Sequence, residues 1–170
     1  VPAPRAAAPQ TQPPRATPPA PAPQPGAATT PAATAATPPA DAAEARYREG
    51  YALYTSGDYA GAQKALAAFV AANPKHARAS NAQFWAGRSL LAQGKTADAA
   101  KAFLTGYQQF PRGERAHNSL LWLGKSLIEL KQPAAACQAL EQLTTAYPDR
   151  LTGQFAADTS AARAQAKCGG

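Results

Sequence analysis

Three prolines, Pro74, Pro111 and Pro148, stand 37 residues apart, and the residues around them repeat in step. Gly50, Gly87 and Gly124 keep the same interval, as do Ala62, Ala99 and Ala136, then Ala65, Ala102 and Ala139. The bulky series Leu66, Phe103 and Leu140 and the series Leu53, Leu90 and Leu127 complete the pattern. One period held over more than half of a chain marks a solenoid, in which each unit buries its apolar face against the next. Such a chain works by offering a surface, which steers the search for function away from catalysis.

Each unit reads as two antiparallel helices. The first unit places one helix over about Asp41 to Thr55, a stop at Ser56-Gly57, and a second helix over about Asp58 to Ala72. Asp41 follows Pro38-Pro39 and is expected as an N-cap, since its carboxylate accepts the free amides of a first turn; Asp58 is expected to cap the second helix. Gly57 suits a left-handed turn, and Asn73-Pro74 ends the unit because proline disfavours a helical residue before it. The second unit runs from Arg78 to Gln93, turns at Gly94 and continues from Lys95 to Gln109. The third runs from Glu114 to Leu130, turns at Lys131-Gln132 and continues from Pro133 to Ala146, with Pro133 in the first helical turn. Leu151 to Lys167 forms one further helix, polar on one side, as a terminal cap requires. The glycine and alanine columns let paired helices approach closely, and Leu66, Phe103 and Leu140 are expected to fill the space between neighbouring units.

Residues 1–40 differ in kind. They hold 13 of the 17 prolines, no aromatic residue, and only Arg5 and Arg15 as charges. A stretch with so little to bury and so few backbone donors is expected to be a disordered, extended tether; a PxxP-type ligand is the other reading. The repeat domain then covers residues 41–170, with units at about 41–77, 78–114 and 115–150 and the cap at 151–168. The formal net charge of +7 admits nucleic acid or an anionic surface as partner. The basic residues are scattered, however, with no Lys/Arg run and no nucleic-acid motif, so no nucleic acid is expected. No apolar run approaches the roughly 18 residues of a membrane span, and no signal-peptide pattern opens the chain. The chain begins at Val1 without any Met, and reads as a processed or truncated product that has lost an upstream domain.

The Gly, Ala and Pro columns resemble the tetratricopeptide repeat. Gly50, Ala62 and Pro74 fall at its signature positions; Gly87, Ala99, Phe103, Gly106 and Pro111 match more fully, and Gly124, Ala136 and Pro148 complete three copies. The period exceeds the family's usual value of about 34, the extra residues falling in the loop after each proline. The family's early Trp is displaced to Trp85 and Trp122. Longer strings carry a narrower likeness. AQFWAGRSLLAQGKTADAAKAFLTGYQQFP (82–111), LLWLGKSLIELKQPAAACQALEQLTTAYP (120–148) and YALYTSGDYAGAQKALAAFVAANP (51–74) resemble the repeats of the CpoB (YbgF) family of periplasmic Tol-Pal-associated cell division coordinators. That resemblance implies a non-enzymatic adaptor in the Gram-negative periplasm. It implies binding to the inner-membrane protein TolA and association with a bifunctional penicillin-binding peptidoglycan synthase, coordinating septal wall synthesis with outer-membrane constriction. The family also carries a signal peptide and a trimerising coiled coil before its linker; neither is present in this sequence, so this stretch is expected to be monomeric.

Few residues suggest chemistry. Cys137 and Cys168 are the only cysteines. If the helices that carry them pack antiparallel, a bridge stabilising by about 3 kcal/mol is reasonable; the other reading is a buried free Cys137 and a frayed Cys168. With no CxxC and no nearby His, no metal site is expected, and no cofactor. His76 and His117 are read as loop or cap residues, and Ser56, Ser80, Ser89, Ser119 and Ser126 as caps or polar helix-face residues. No nucleophile–base spacing or phosphate loop is present. In tetratricopeptide arrays the first helix of each pair lines the groove. Carried over, this makes Tyr47, Tyr51, Tyr54, Asn81, Phe84, Arg88, Asn118, Leu121 and Lys125 the candidate groove residues, suited to gripping an extended or helical peptide. Tyr47, Phe84 and Leu121 share one register, and so do Trp85 and Trp122; inter-repeat core is the alternative for both sets. The expectation is an all-α tetratricopeptide-repeat superhelix of three helix pairs plus a C-terminal cap, preceded by a linker. The alternatives are a scaffold subunit of outer-membrane protein assembly or a regulatory module of a larger enzyme.

Overall fold

Proline and glycine punctuation, repeated at one period, cuts the chain into helices of nearly equal length. The structure, a computed structural model, describes residues 40–169, so the tether reading of the Pro-rich segment lies outside the described residues. Seven α-helices follow: α1 (Ala40–Thr55), α2 (Tyr59–Ala72), α3 (Ala79–Ala92), α4 (Thr96–Gln109), α5 (Ala116–Glu129), α6 (Pro133–Ala146) and α7 (Gly153–Gln165). A single 3-10 turn, Pro148–Arg150, separates α6 from α7. Among the described residues there is no strand and no helix long and apolar enough to cross a membrane.

The stops have visible causes. Asn73, Phe110 and Tyr147, each ahead of a repeat proline, take nearly one conformation: φ −133°, −128° and −134° with ψ 54°, 56° and 51°. The proline ring denies each the helical well, so every second helix ends at the same point. Within the pairs, Gly57 and Gly94 turn the chain at φ 89° and 72°. The third turn puts Lys131, one period on, into the same left-handed region at φ 59°. Asp58 caps α2, its Oδ1 accepting from the Gly61 amide at 2.9 Å. The expected N-cap Asp41 falls inside α1, which starts one residue earlier, and its side chain lies outside the described residues. The later first helices start after their expected N-termini because the post-proline loops use those residues: the Ala79 and Ala116 amides bond to the His76 and Gly113 carbonyls. The cap helix is shorter than expected, because Thr152 is extended, at φ −129° and ψ 152°.

Packing follows sequence order. Each helix lies chiefly against its chain neighbours, the first helices α1, α3 and α5 also touch one another, and α7 lies against α5 and α6. The small and bulky columns form one joint, repeated three times. A Cβ on Gly50 would stand 2.9 Å from Leu66 Cδ2, one on Gly87 2.7 Å from Phe103 Cε1, and one on Gly124 2.8 Å from Leu140 Cδ2. The bulky side chains therefore fill the seam inside each pair, where they were expected between units; Phe103 alone also reaches towards the next unit, its ring 6.5 Å from that of Trp122. Four of the five serines are buried, contrary to the reading as caps or polar face: Ser80, Ser89, Ser119 and Ser126. Ser89 and Ser126 satisfy their hydroxyls by donating to the carbonyls of Trp85 and Trp122, both at 2.8 Å. Ser80 instead accepts from the Arg115 amide, tying one loop to the preceding unit. Only Ser56 lies at a helix end, donating to the Leu53 carbonyl.

Candidate functional site: the face of the first helices

The candidate groove residues lie along α1, α3 and α5, and the structure divides them into two sets. Tyr47, Asn81, Phe84 and Leu121 are buried, at 9 %, 2 %, 3 % and 2 % exposure. They belong to the seams between units, so their assignment to an accessible groove is corrected: successive first helices sit close enough to close over this register. Tyr47 packs against Phe69, and Phe84 against Phe103, at 5.9 Å in each case. Burial raises the Tyr47 phenol above its usual range, against the lowering charge of Arg78.

Buried Asn81 is a structural linchpin. Its Nδ2 donates to Glu114 Oε2 at 2.8 Å, and its Oδ1 accepts from Arg115 Nε at 3.0 Å. The Asn81 hydrogen bond, with Arg115 and Arg78 nearby, holds the Glu114 carboxyl below the usual carboxylate range. Arg78, one period before Arg115, likewise reaches back to Glu44, Nε to Oε2 at 3.4 Å. Asn118 shares the register of Glu44 and Asn81, but Thr152 stands where a third arginine would fall, and the buried Asn118 Oδ1 has no partner.

The accessible set is Tyr51, Tyr54, Arg88 and Lys125, joined by Trp85 and Trp122. Tyr51 is 36 % exposed, and the others are half-buried. Tyr51 and Tyr54 stack at 6.4 Å, and Trp85 lies 5.0 Å from the first and 4.8 Å from the second. Further along, the Arg88 guanidinium lies 3.7 Å over the Trp122 ring, and the Lys125 ammonium 4.9 Å from the same ring. Lys125 also pairs with Asp158 of α7 at 3.6 Å. The result is a strip that is aromatic at the α1 end and cationic at the α5 end. It offers flat apolar contact and positive charge side by side, the combination that anchors peptides. Trp85 and Trp122 join core and strip at once, and Asp158 had no sequence signal because the cap departs from the repeat.

The remaining residues do not converge on a reactive centre. His76 sits in the first post-proline loop, its Nδ1 accepting from the Arg78 amide at 3.1 Å. His117 opens α5 and packs edge-on against Phe155 of α7 at 5.1 Å. Burial, then the charges of Arg150 and Arg115, hold its imidazole below the usual histidine range. The Sγ atoms of Cys137 and Cys168 lie at bonding distance, 2.08 Å, joining the start of α6 to the end of the cap. Among the described residues no group of three or more His, Cys, Asp or Glu is placed to hold a metal ion. On another side of the array, α4, α5 and α6 border a groove of about 490 Å³ lined by Ala100, Leu104, Tyr107, Leu127 and Leu130.

Stacked helix pairs with an accessible strip on their first helices define a helical-repeat scaffold for protein interaction. The profile of the tetratricopeptide repeat matches residues 47–114 and 84–150, and the chain belongs to that family. No curated protein matches the chain.

Proposed function

We propose that this chain is a non-enzymatic periplasmic adaptor of the Tol-Pal system, binding TolA and linking septal peptidoglycan synthesis to outer-membrane constriction. Within this reading a bifunctional penicillin-binding synthase is the second partner. The observation that carries the binding role is the accessible strip from Tyr51 through Trp85 and Arg88 to Trp122, on the first helices of a tetratricopeptide array. The Tol-Pal assignment is supported by the likeness of the strings at 51–74, 82–111 and 120–148 to the coordinator family, in unbroken order. The bonded cysteines agree with an oxidising compartment.

Titration calorimetry of the chain against the periplasmic region of TolA tests this. Micromolar binding is expected. Arg88→Glu and Tyr51→Ala should each weaken it about tenfold or more with helicity unchanged. Lys125 is a poorer probe, since its substitution also disturbs the pair with Asp158. A folded chain that shows no binding at high micromolar concentration would remove TolA as the partner. Binding that is indifferent to both variants would move the site to another face.

A further inference from the structure

Each first helix seats one side chain on the tryptophan register of the next. Tyr51 of α1 rests against Trp85 of α3, and Arg88, one period on, lies over Trp122 of α5. Lys125, the third member, meets α7, where Thr159 stands at the tryptophan register. There the lysine takes the adjacent carboxylate of Asp158, at 3.6 Å. Gln154 Nε2 donates to Asp158 Oδ1 at 2.7 Å and steadies it; that bond first, then the charge of Lys125, keeps the Asp158 carboxyl below its usual range. The cap thus displays, within the chain, what this cationic column accepts when a helix is laid against it.

Arg88 has no counterpart to Asp158. Among the described residues it makes no ion pair and no side-chain hydrogen bond; its one specific contact is the indole face of Trp122 at 3.7 Å. Stacking fixes the plane of a guanidinium and leaves its edge donors free, the arrangement that receives a carboxylate at two points. Beside it, Tyr51, Tyr54 and Trp85 supply an apolar platform. The net charge of +7 favours an acidic partner over a basic one.

We infer that this face takes an amphipathic helix bearing a carboxylate, which pairs with Arg88 while its apolar side chains rest on Tyr51, Tyr54 and Trp85. The inference rests on the protein-binding reading above and names the chemistry of the partner. The test uses the whole chain and a short fluorescein-labelled amphipathic peptide with Leu and Phe on one face and Glu beside them, read by fluorescence anisotropy. A second peptide carries Gln in place of each Glu. The Glu peptide should bind, and the Gln peptide about tenfold or more weaker. Arg88→Gln should remove the difference between the peptides, and Arg88→Lys should keep part of it, because the charge stays and the two-point geometry goes. Equal affinity for the two peptides on the unaltered chain would overturn the inference, and so would a preference for Glu that persists in a folded Arg88→Gln. The two-peptide comparison needs no variant, so a misfolded substitution leaves it intact. Because the probe is synthetic, its result is independent of whether TolA binds.

Discussion

Gly87 and Phe103 make the tightest joint in the repeat, and they show how one missing methyl sets the distance between two helices. A Cβ at Gly87 would come within 2.7 Å of Phe103 Cε1 and 2.9 Å of Cδ1, and Phe103 is fully enclosed and cannot swing aside. Gly87→Ala is therefore expected to destabilise by about 1–3 kcal/mol despite the better helix propensity of alanine. Adding Phe103→Leu should restore part of this, a coupling that a double-mutant cycle from urea midpoints measures. An unchanged midpoint in Gly87→Ala would mean the seam has room to open. The two register-mate asparagines offer a second contrast. Asn81→Leu strands Arg115 and Glu114 and should cost ~1 kcal/mol or more, whereas Asn118→Leu removes an orphaned buried oxygen and should be neutral or stabilising. Equal losses in the two variants would show that packing, and not the hydrogen bonds, decides at this register. The glycine column was legible in the sequence from its period alone; the orphaned Asn118 was not, because its partner is missing from a segment that does not repeat.

The cap α7 is the element with the least of its own to hold it. Few of its side chains are buried, chiefly Thr159 and Ala162, and Thr152 at its N-cap makes no side-chain capping bond. The Cys137–Cys168 link spans 31 residues and closes over it, for which a chain-entropy contribution of about 3 kcal/mol is expected. Reduction by a dithiol, or Cys168→Ser, should lower the melting temperature and raise amide exchange in residues 153–165 first, with α3 still protected. Unaltered protection of α7 after full reduction would show that packing alone holds the cap. His117 joins α5 to the same element through Phe155. Its folded pKa is depressed by burial, so the unfolded chain binds the proton more readily. Its share of stability is complete above the ordinary value of about 6.5 and is lost as pH falls from there through the depressed value. Melting temperature should drop between about pH 7.5 and 5.5, and less so in His117→Phe; parallel profiles would assign the drop to other groups. The helix starts and the cap length differ from the sequence expectation where loop amides bond locally, which residue spacing does not encode.

Across the whole molecule the same strip of side chains is both seam and surface, and the division between the two roles fell where spacing could not place it. Tyr47, Tyr51 and Tyr54 share one helix and one chemistry, yet Tyr47 sinks into the seam beside Phe69 while Tyr51 stays accessible. Trp85 and Trp122 serve both roles, each receiving a side chain from the unit before. The sequence by itself determined the helix pairs, their turns and their stops, and the small and bulky columns. These depend on local backbone preference, on proline and glycine, and on a period that survives any arrangement of the units. Only the tertiary structure decided which members of a column are covered, that Arg88 lies on an indole of the next unit, and that Asp158 answers Lys125. Burial and ion pairing are properties of helices brought together from a full period away, and the geometry of that meeting is set by side-chain volume at the seams.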